Sequence, residues 1–241
     1  MRYGIVADIH GNLEALKSTL AALLREKIDR YFCLGDIVGY GANPRECIKI
    51  IRSLDALAVC GNHDAACAGL IETNYFNNAA SKAIKWTKRN LKREDVLFLK
   101  SADLSYSNAH LTLVHGTLQD AAKFHYMTDN AAALGTMELM KTNICFVGHT
   151  HIPGIFSLKN NRLRYFREEK TKISEGEKLV VNAGSVGQPR DRDTRSCYSV
   201  YDTDAGTVEL KRTVYDVKKA QKKILEAGLP ESFAYRLGVG S

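Results

Sequence analysis

The chain has 241 residues, 45% of them hydrophobic, which is enough for one large domain and ordinary for a globular protein in water. Its net charge of +7 comes from thinly spread lysines and arginines, densest in KRNLKRED and DVKKAQKK, which read as solvated helix faces and do not favour a nucleic-acid partner. In GIVADIHGN an aspartate and a histidine interrupt the first apolar stretch too early for a signal-peptide core or a membrane span, so a cytoplasmic protein without a membrane partner is expected.

YGIVADIH reads as a buried strand. A helical pattern follows, with Leu13, Leu16, Leu20, Leu23 and Leu24 on one face. RYFCLGD is a second strand, NPRECIKIIRSL a helix with Asn43 as N-cap and Pro44 in its first turn, and ALAVCGNHD a third strand. That alternation predicts parallel βαβ units. Residues 74 to 100 are helical in character, with Ala80, Ile84, Leu91, Val96 and Leu99 as buried positions. ADLSYSNAHLTLVHG predicts a hairpin turning at Ser107 and Asn108. ICFVGHTH, NRLRYFRE, KLVVNAGS, SCYSVYD and TVELKRTVYD are further short strands. The result is one α/β domain over 1–241 with two sheets, parallel early and mixed or antiparallel late. Its motifs end near 191, and strands and a helix fill 192–241. The six cysteines form no C-x-x-C pair and are expected reduced and buried.

Five polar clusters each end an apolar strand: Asp8 and His10, Asp36, Asn62 with His63 and Asp64, His115, and His149 with His151. Ligands of α/β sheets gather at the carboxyl ends of strands, so such clusters can converge. In extended backbone, residues i and i+2 share a side, which lets Asp8 with His10, and His149 with His151, present two donors together. Singly, each has an ordinary explanation: Asp8 or Asp36 as an N-cap, His115 as a core histidine, Asn62 and Asp64 as turn formers. One metal site explains all of them at once. Two aspartates, four histidines and an asparagine oxygen suit divalent Mn, Fe, Zn, Co or Ni better than Ca or Mg alone, and seven such groups exceed the needs of one tetrahedral ion.

The ordered set DIH, GD, GNHD, VHG and GHTH resembles the five motifs of the calcineurin-like metallophosphoesterase superfamily, over roughly residues 1 to 191. GDIVGYG and NAGSVGQPRD are most similar to its compact bacterial and archaeal branch. The resemblance implies a four-layer α/β/β/α sandwich of two mixed sheets flanked by helices. It also implies two divalent metal ions, Mn²⁺ first, with Fe, Zn, Ni, Co or Mg as alternatives. Asp8, His10, Asp36 and His151 then match the ligands of one ion, and Asp36, Asn62, His115 and His149 those of the second, with Asp36 as the bridge. His63 matches a non-ligand histidine that protonates the leaving group, with Asp64 orienting its ring. The implied chemistry is attack on a phosphoester by a metal-activated water.

Phosphoprotein phosphatases and diadenosine tetraphosphatases of this superfamily carry G-D-x-V-D-R-G. Here Gly39 and Tyr40 stand where those groups have Asp and Arg. A guanidinium clamp is absent from that position, which favours phosphodiesters or small nucleotide-like esters over phosphoproteins. Arg190, His125 and Tyr126 are candidate substrate contacts. Monoesterase or protein phosphatase activity, a nuclease and a non-catalytic scaffold are the alternatives. The oligomeric state is open, with the ESFAYRLGVG tail as a candidate interface.

Overall fold

The computed structural model describes residues 1–74 and 76–241. Strand β1 (Arg2–Val6) is buried from Tyr3 onward. Helix α1 (Leu13–Leu23) follows it, capped by the Asn12 side chain, which accepts from the Ala15 N–H at 3.1 Å. Leu13, Leu16 and Leu23 are buried as expected. Leu24 is not: the chain tightens into a 3₁₀ turn at that residue and leaves it 75% exposed. Strand β2 (Arg30–Cys33) and helix α2 (Pro44–Ser53) come next. Asn43 holds the N-cap position of α2, but its amide donates to Glu46 Oε1 and caps no backbone group.

The third predicted strand is cut short. Only β3 (Leu57–Ala58) is extended, and Asn62 opens a helix, α3 (Asn62–Ala68). Asp64 drives this change, because its Oδ2 accepts the Gly61 N–H at 3.3 Å and closes the first turn. Helices α4 (Asn78–Asn90) and α5 (Arg93–Lys100) bury Ala80, Ile84 and Leu99, and Leu91 and Val96 are half-buried.

Strands β4 (Ser105–Ser107) and β5 (Thr112–Val114) form the expected hairpin with a longer turn. Asn108 Oδ1 accepts from the N–H groups of His110 and Leu111, which moves the reversal past residue 108. Then come α6 (Asn130–Leu139), β6 (Ile144–Val147), β7 (Gly154–Lys159), β8 (Arg162–Phe166), β9 (Lys170–Lys172) and β10 (Lys178–Asn182). The chain finishes with β11 (Ser196–Asp202), β12 (Thr207–Thr213) and two helices where one was expected, α7 (Val217–Glu226) and α8 (Glu231–Val239). Among the described residues no helix is long and apolar enough to cross a membrane.

The strands form two six-stranded sheets, ordered β3-β2-β1-β11-β12-β9 and β4-β5-β6-β10-β7-β8. Each is mixed: β1 runs parallel to β2 and antiparallel to β11, while β10 runs parallel to β6 and antiparallel to β7. Parallel and antiparallel pairing are therefore combined within each sheet and not divided along the chain. Side-chain alternation builds the layers. Tyr3, Ile5, Phe146 and Val181 pack between the sheets. On the outer faces, Val6 meets Leu16 and Ile48 of α1 and α2, while Cys145 and Val180 meet Ala133 and Met137 of α6. This is the four-layer α/β/β/α sandwich. All six cysteines are free and buried.

Candidate metal centre

The motif residues lie just beyond the carboxyl ends of β1, β2, β5 and β6 and in the first turn of α3. They are not extended. Asp8, His10, Asp36, His149 and His151 all adopt left-handed backbone, with φ of 51°, 49°, 52°, 67° and 61°. Pairing of donors by strand alternation is thus corrected: β1 stops at Val6 and β6 at Val147, and tight turns aim the side chains. Left-handed backbone costs on the order of 1–3 kcal/mol per non-glycine residue, a strain that clusters at functional sites.

Two buried groups of donors result: Asp8, His10, Asp36 and His151, and Asp36, His115 and His149, with the donor atoms of each group within 4.8 Å of one another. His10 Nδ1 faces the Val38 carbonyl at 3.1 Å, and His151 Nδ1 faces the Gln188 carbonyl at 2.6 Å. A carbonyl only accepts, so both hydrogens sit on Nδ1. Burial holds both rings well below the usual histidine range and therefore neutral. Each Nε2 is then a bare lone pair, and the two stand 3.0 Å apart. Facing lone pairs repel unless a cation lies between them. His115 makes the same carbonyl contact: its Nδ1 donates to the Leu34 carbonyl at 2.6 Å, and its Nε2 lies 3.2 Å from Asn62 Oδ1 and 3.0 Å from His149 Nδ1.

Asp36 stands between the groups. Its Oδ2 is 3.6 Å from His10 Nε2 and 3.4 Å from His115 Nε2, and its Oδ1 accepts the His63 N–H at 2.8 Å. Burial opposes its charge, yet the His115 ring, by charge and by hydrogen bond, holds its carboxyl well below the usual range. Burial would also lower His115, but the Asp36 carboxylate pushes it up to about 9. Burial, aided by the charge on Asp36 and opposed by His115, pushes Asp8 up to about 8. The centre is short of positive charge, and its nitrogen and oxygen donors fit divalent cations.

His63 and Asp64 are both buried, but they do not form the expected pair. Asp64 Oδ1 accepts the Val38 N–H at 3.1 Å and Oδ2 the Gly61 N–H, so its carboxylate ties two backbone loops together and does not orient the ring. His63 Nδ1 is buried without a partner, and Nε2 lies 3.0 Å from the Tyr40 hydroxyl. Gly39, with φ of 93°, leaves room for this ring, because a Cβ there would stand 2.5 Å from His63 Nδ1. Gly39→Ala is therefore expected to displace the His63 ring with metal content unchanged, and an unshifted His63 imidazole resonance in the NMR spectrum would show that the ring tolerates the intrusion.

A cavity of about 600 Å³ opens over the centre, with Asp36, Asn62, His149 and His151 on its floor. Phe76, Phe124 and Tyr126 form an apolar wall, and the Tyr126 ring stacks on His149 at 3.9 Å. Arg190 lines it too. Its Nη2 donates to Gln188 Oε1 at 3.0 Å, and its Nε is buried without a partner. His125 is exposed and does not line this cavity; the chain presents Tyr126 instead. NAGSVGQPRD is more than a connector. Ser185 Oγ and the Gly187 N–H donate to the Asp8 carbonyl, and the Arg190 N–H donates to that of His151. Sequence reasoning passed over Tyr40, Phe76, Phe124 and Lys123 as wall residues. For Tyr40 the only signal was its departure from the phosphatase pattern.

The calcineurin-like phosphoesterase superfamily domain matches residues 1–206. An uncharacterized protein of Methanocaldococcus jannaschii is 38% identical over 244 residues, covering 98% of this chain and 97% of its own. A metallophosphoesterase of known structure from Sphaerobacter thermophilus is 36% identical, with a TM-score of 0.87 over 100% of this chain and 99% of that one. A hypothetical protein from Pyrococcus horikoshii shares the fold at 21% identity, with a TM-score of 0.82 over 100% and 98% of the two chains.

Proposed function

Because this chain belongs to the calcineurin-like phosphoesterase superfamily, we propose that it is a dinuclear metal-dependent hydrolase of phosphodiesters or small nucleotide-like esters, working in the cytoplasm as one domain. The facing Nε2 atoms of His10 and His151, 3.0 Å apart with both hydrogens committed to carbonyls, carry this reading. Asp8, His10, Asp36 and His151 would hold one ion, and Asp36, Asn62, His115 and His149 the other, with Mn²⁺ the first choice.

When bound, two such ions supply positive charge for the phosphoryl oxygens and lower the pKa of a water from 15.7 toward about 7. The rest falls to the chain. The carbonyls of Val38, Leu34 and Gln188 hold the Nδ1–H of three imidazoles, so that Nε2 is the nitrogen each would turn to a metal. The Arg190 guanidinium stands beside the cavity floor, where an anionic phosphoryl oxygen would meet it. Phe76, Phe124 and Tyr126 give the organic arm of an ester an apolar wall. His63 brings Nε2 to the same cavity and delivers a proton to the departing oxygen.

The proposal is tested with chelator-stripped protein, by hydrolysis of bis-p-nitrophenyl phosphate against p-nitrophenyl phosphate with and without added Mn²⁺. Metal-dependent turnover favouring the diester is expected. No metal-dependent turnover of either ester rejects the enzyme reading, and a preference for the monoester rejects the diester assignment. Arg190→Ala is expected to raise KM for the diester by roughly tenfold, the worth of one charged contact, with metal content unchanged. An unchanged KM would remove Arg190 from the substrate.

A further inference from the structure

A proton-donating imidazole needs a partner that fixes its ring, and His63 lacks the one its neighbour in sequence promised. Asp64 is spent on two backbone N–H groups, and His63 Nδ1 has no hydrogen-bond partner. The ring nevertheless has a polar neighbour, the Tyr40 hydroxyl at 3.0 Å from Nε2. Nδ1 is closed off beneath Gly39, so Nε2 is also the nitrogen that can reach a substrate in the cavity.

Tyr40 is itself firmly held. It is buried, its backbone is left-handed at φ of 56°, and its ring packs on Phe233 of α8 at 4.6 Å and on His10 at 4.4 Å. The Arg190 guanidinium lies 5.9 Å from its centroid. The phenol therefore has little freedom beyond rotation of its hydroxyl.

We propose that Tyr40 is the positioning residue for His63, holding its ring through the same Nε2 that delivers the proton, in the place a carboxylate would otherwise fill. A hydroxyl can do this where a carboxylate cannot, because it both accepts and donates. The donor is the imidazolium, with hydrogen on both ring nitrogens; Tyr40 Oη accepts from Nε2–H, and a bound leaving-group oxygen shares that one hydrogen as a second acceptor. As the Nε2–H bond breaks and an O–H bond forms on the leaving group, the ring is left neutral with its hydrogen on Nδ1, and the Tyr40 hydroxyl rotates and donates to the bared Nε2. The phenol keeps its own proton throughout, and the proton given up by the attacking water restores Nε2–H. This inference rests on His63 being the proton donor.

The test is a double-mutant cycle of Tyr40→Phe and His63→Ala, read on two diesters with metal content and melting temperature measured for each variant. Bis-p-nitrophenyl phosphate has a leaving group that departs without a proton, and diphenyl phosphate has one that needs it. Tyr40→Phe keeps the ring on Phe233 and is expected to lower kcat for diphenyl phosphate roughly tenfold, the worth of one hydrogen bond. KM and bis-p-nitrophenyl phosphate turnover should stay within about threefold, and the substitution should cost nothing further in the His63→Ala background. Equal losses on both esters, or the same loss without His63, would overturn the positioning role. If His63→Ala alone leaves diphenyl phosphate turnover intact, the proton-donor reading fails, whatever Tyr40 does. Phe233→Leu, which loosens the Tyr40 ring without touching its hydroxyl, is expected to reproduce the same leaving-group dependence at smaller size.

Discussion

Asp36→Ala is expected to leave the protein unable to retain divalent metal and to reduce phosphoester turnover by at least ~10³-fold. Asp36 Oδ2 is a carboxylate oxygen near both donor groups, 3.6 Å from His10 Nε2 and 3.4 Å from His115 Nε2. Removing it takes a ligand from each proposed ion and the negative charge that holds His115 up. Metal ions supply several kcal/mol of transition-state stabilisation in such sites, and at 1.36 kcal/mol per decade the loss reaches about three decades. The same carboxylate accepts the His63 N–H through Oδ1, so the variant also loosens α3. Elemental analysis of dialysed protein, with kcat/KM on either diester, checks this. A variant that keeps two ions per chain would mean that Asp36 bridges nothing.

His63→Ala should behave in the opposite way toward metal. His63 has no atom in either donor group, and its backbone N–H, the part that meets Asp36, survives the substitution. Metal content should stay at the parent level. Turnover of diphenyl phosphate should fall by ~10²- to 10⁴-fold, the usual contribution of general acid catalysis, with a much smaller loss on bis-p-nitrophenyl phosphate. Metal loss equal to that of Asp36→Ala would make His63 a ligand and remove it from proton transfer.

Much of this centre was legible because its parts follow short apolar runs bounded by glycine, which read as strands. The order of Asp8, Asp36, Asn62, His115 and His149 along the chain, each after such a run, is enough to place them at one end of two sheets. What stayed hidden was set by contacts between distant segments. GNHD reads equally well as a strand end or a turn, and only the Gly61 N–H on Asp64 makes it a helix start. Asp64 sits beside His63 in sequence, but a helical first turn points their side chains apart, so adjacency suggested a pairing that geometry refuses. The sheets hid a second feature of the same kind. Strand β1 finds β11 across nearly two hundred residues, with Arg2 opposite Asp202 and Ile5 opposite Ser199, and no local pattern announces such a partner.

That pairing carries a consequence for how the chain reaches its native state. One edge of β1 has parallel β2 soon after it is made, but the other stays open until β11 leaves the ribosome. Non-local pairing of this kind is slow, because loop closure must be met before contacts reward it. An open apolar edge is meanwhile a template for other chains. The first proposed ligands of the centre, Asp8 and His10, follow this strand, and the segment from Ser185 to Gly187 that pins Asp8 is made only after residue 180. Metal capture is therefore expected to follow complete synthesis, and refolding of the whole chain to be rate-limited by the docking of β11 on β1.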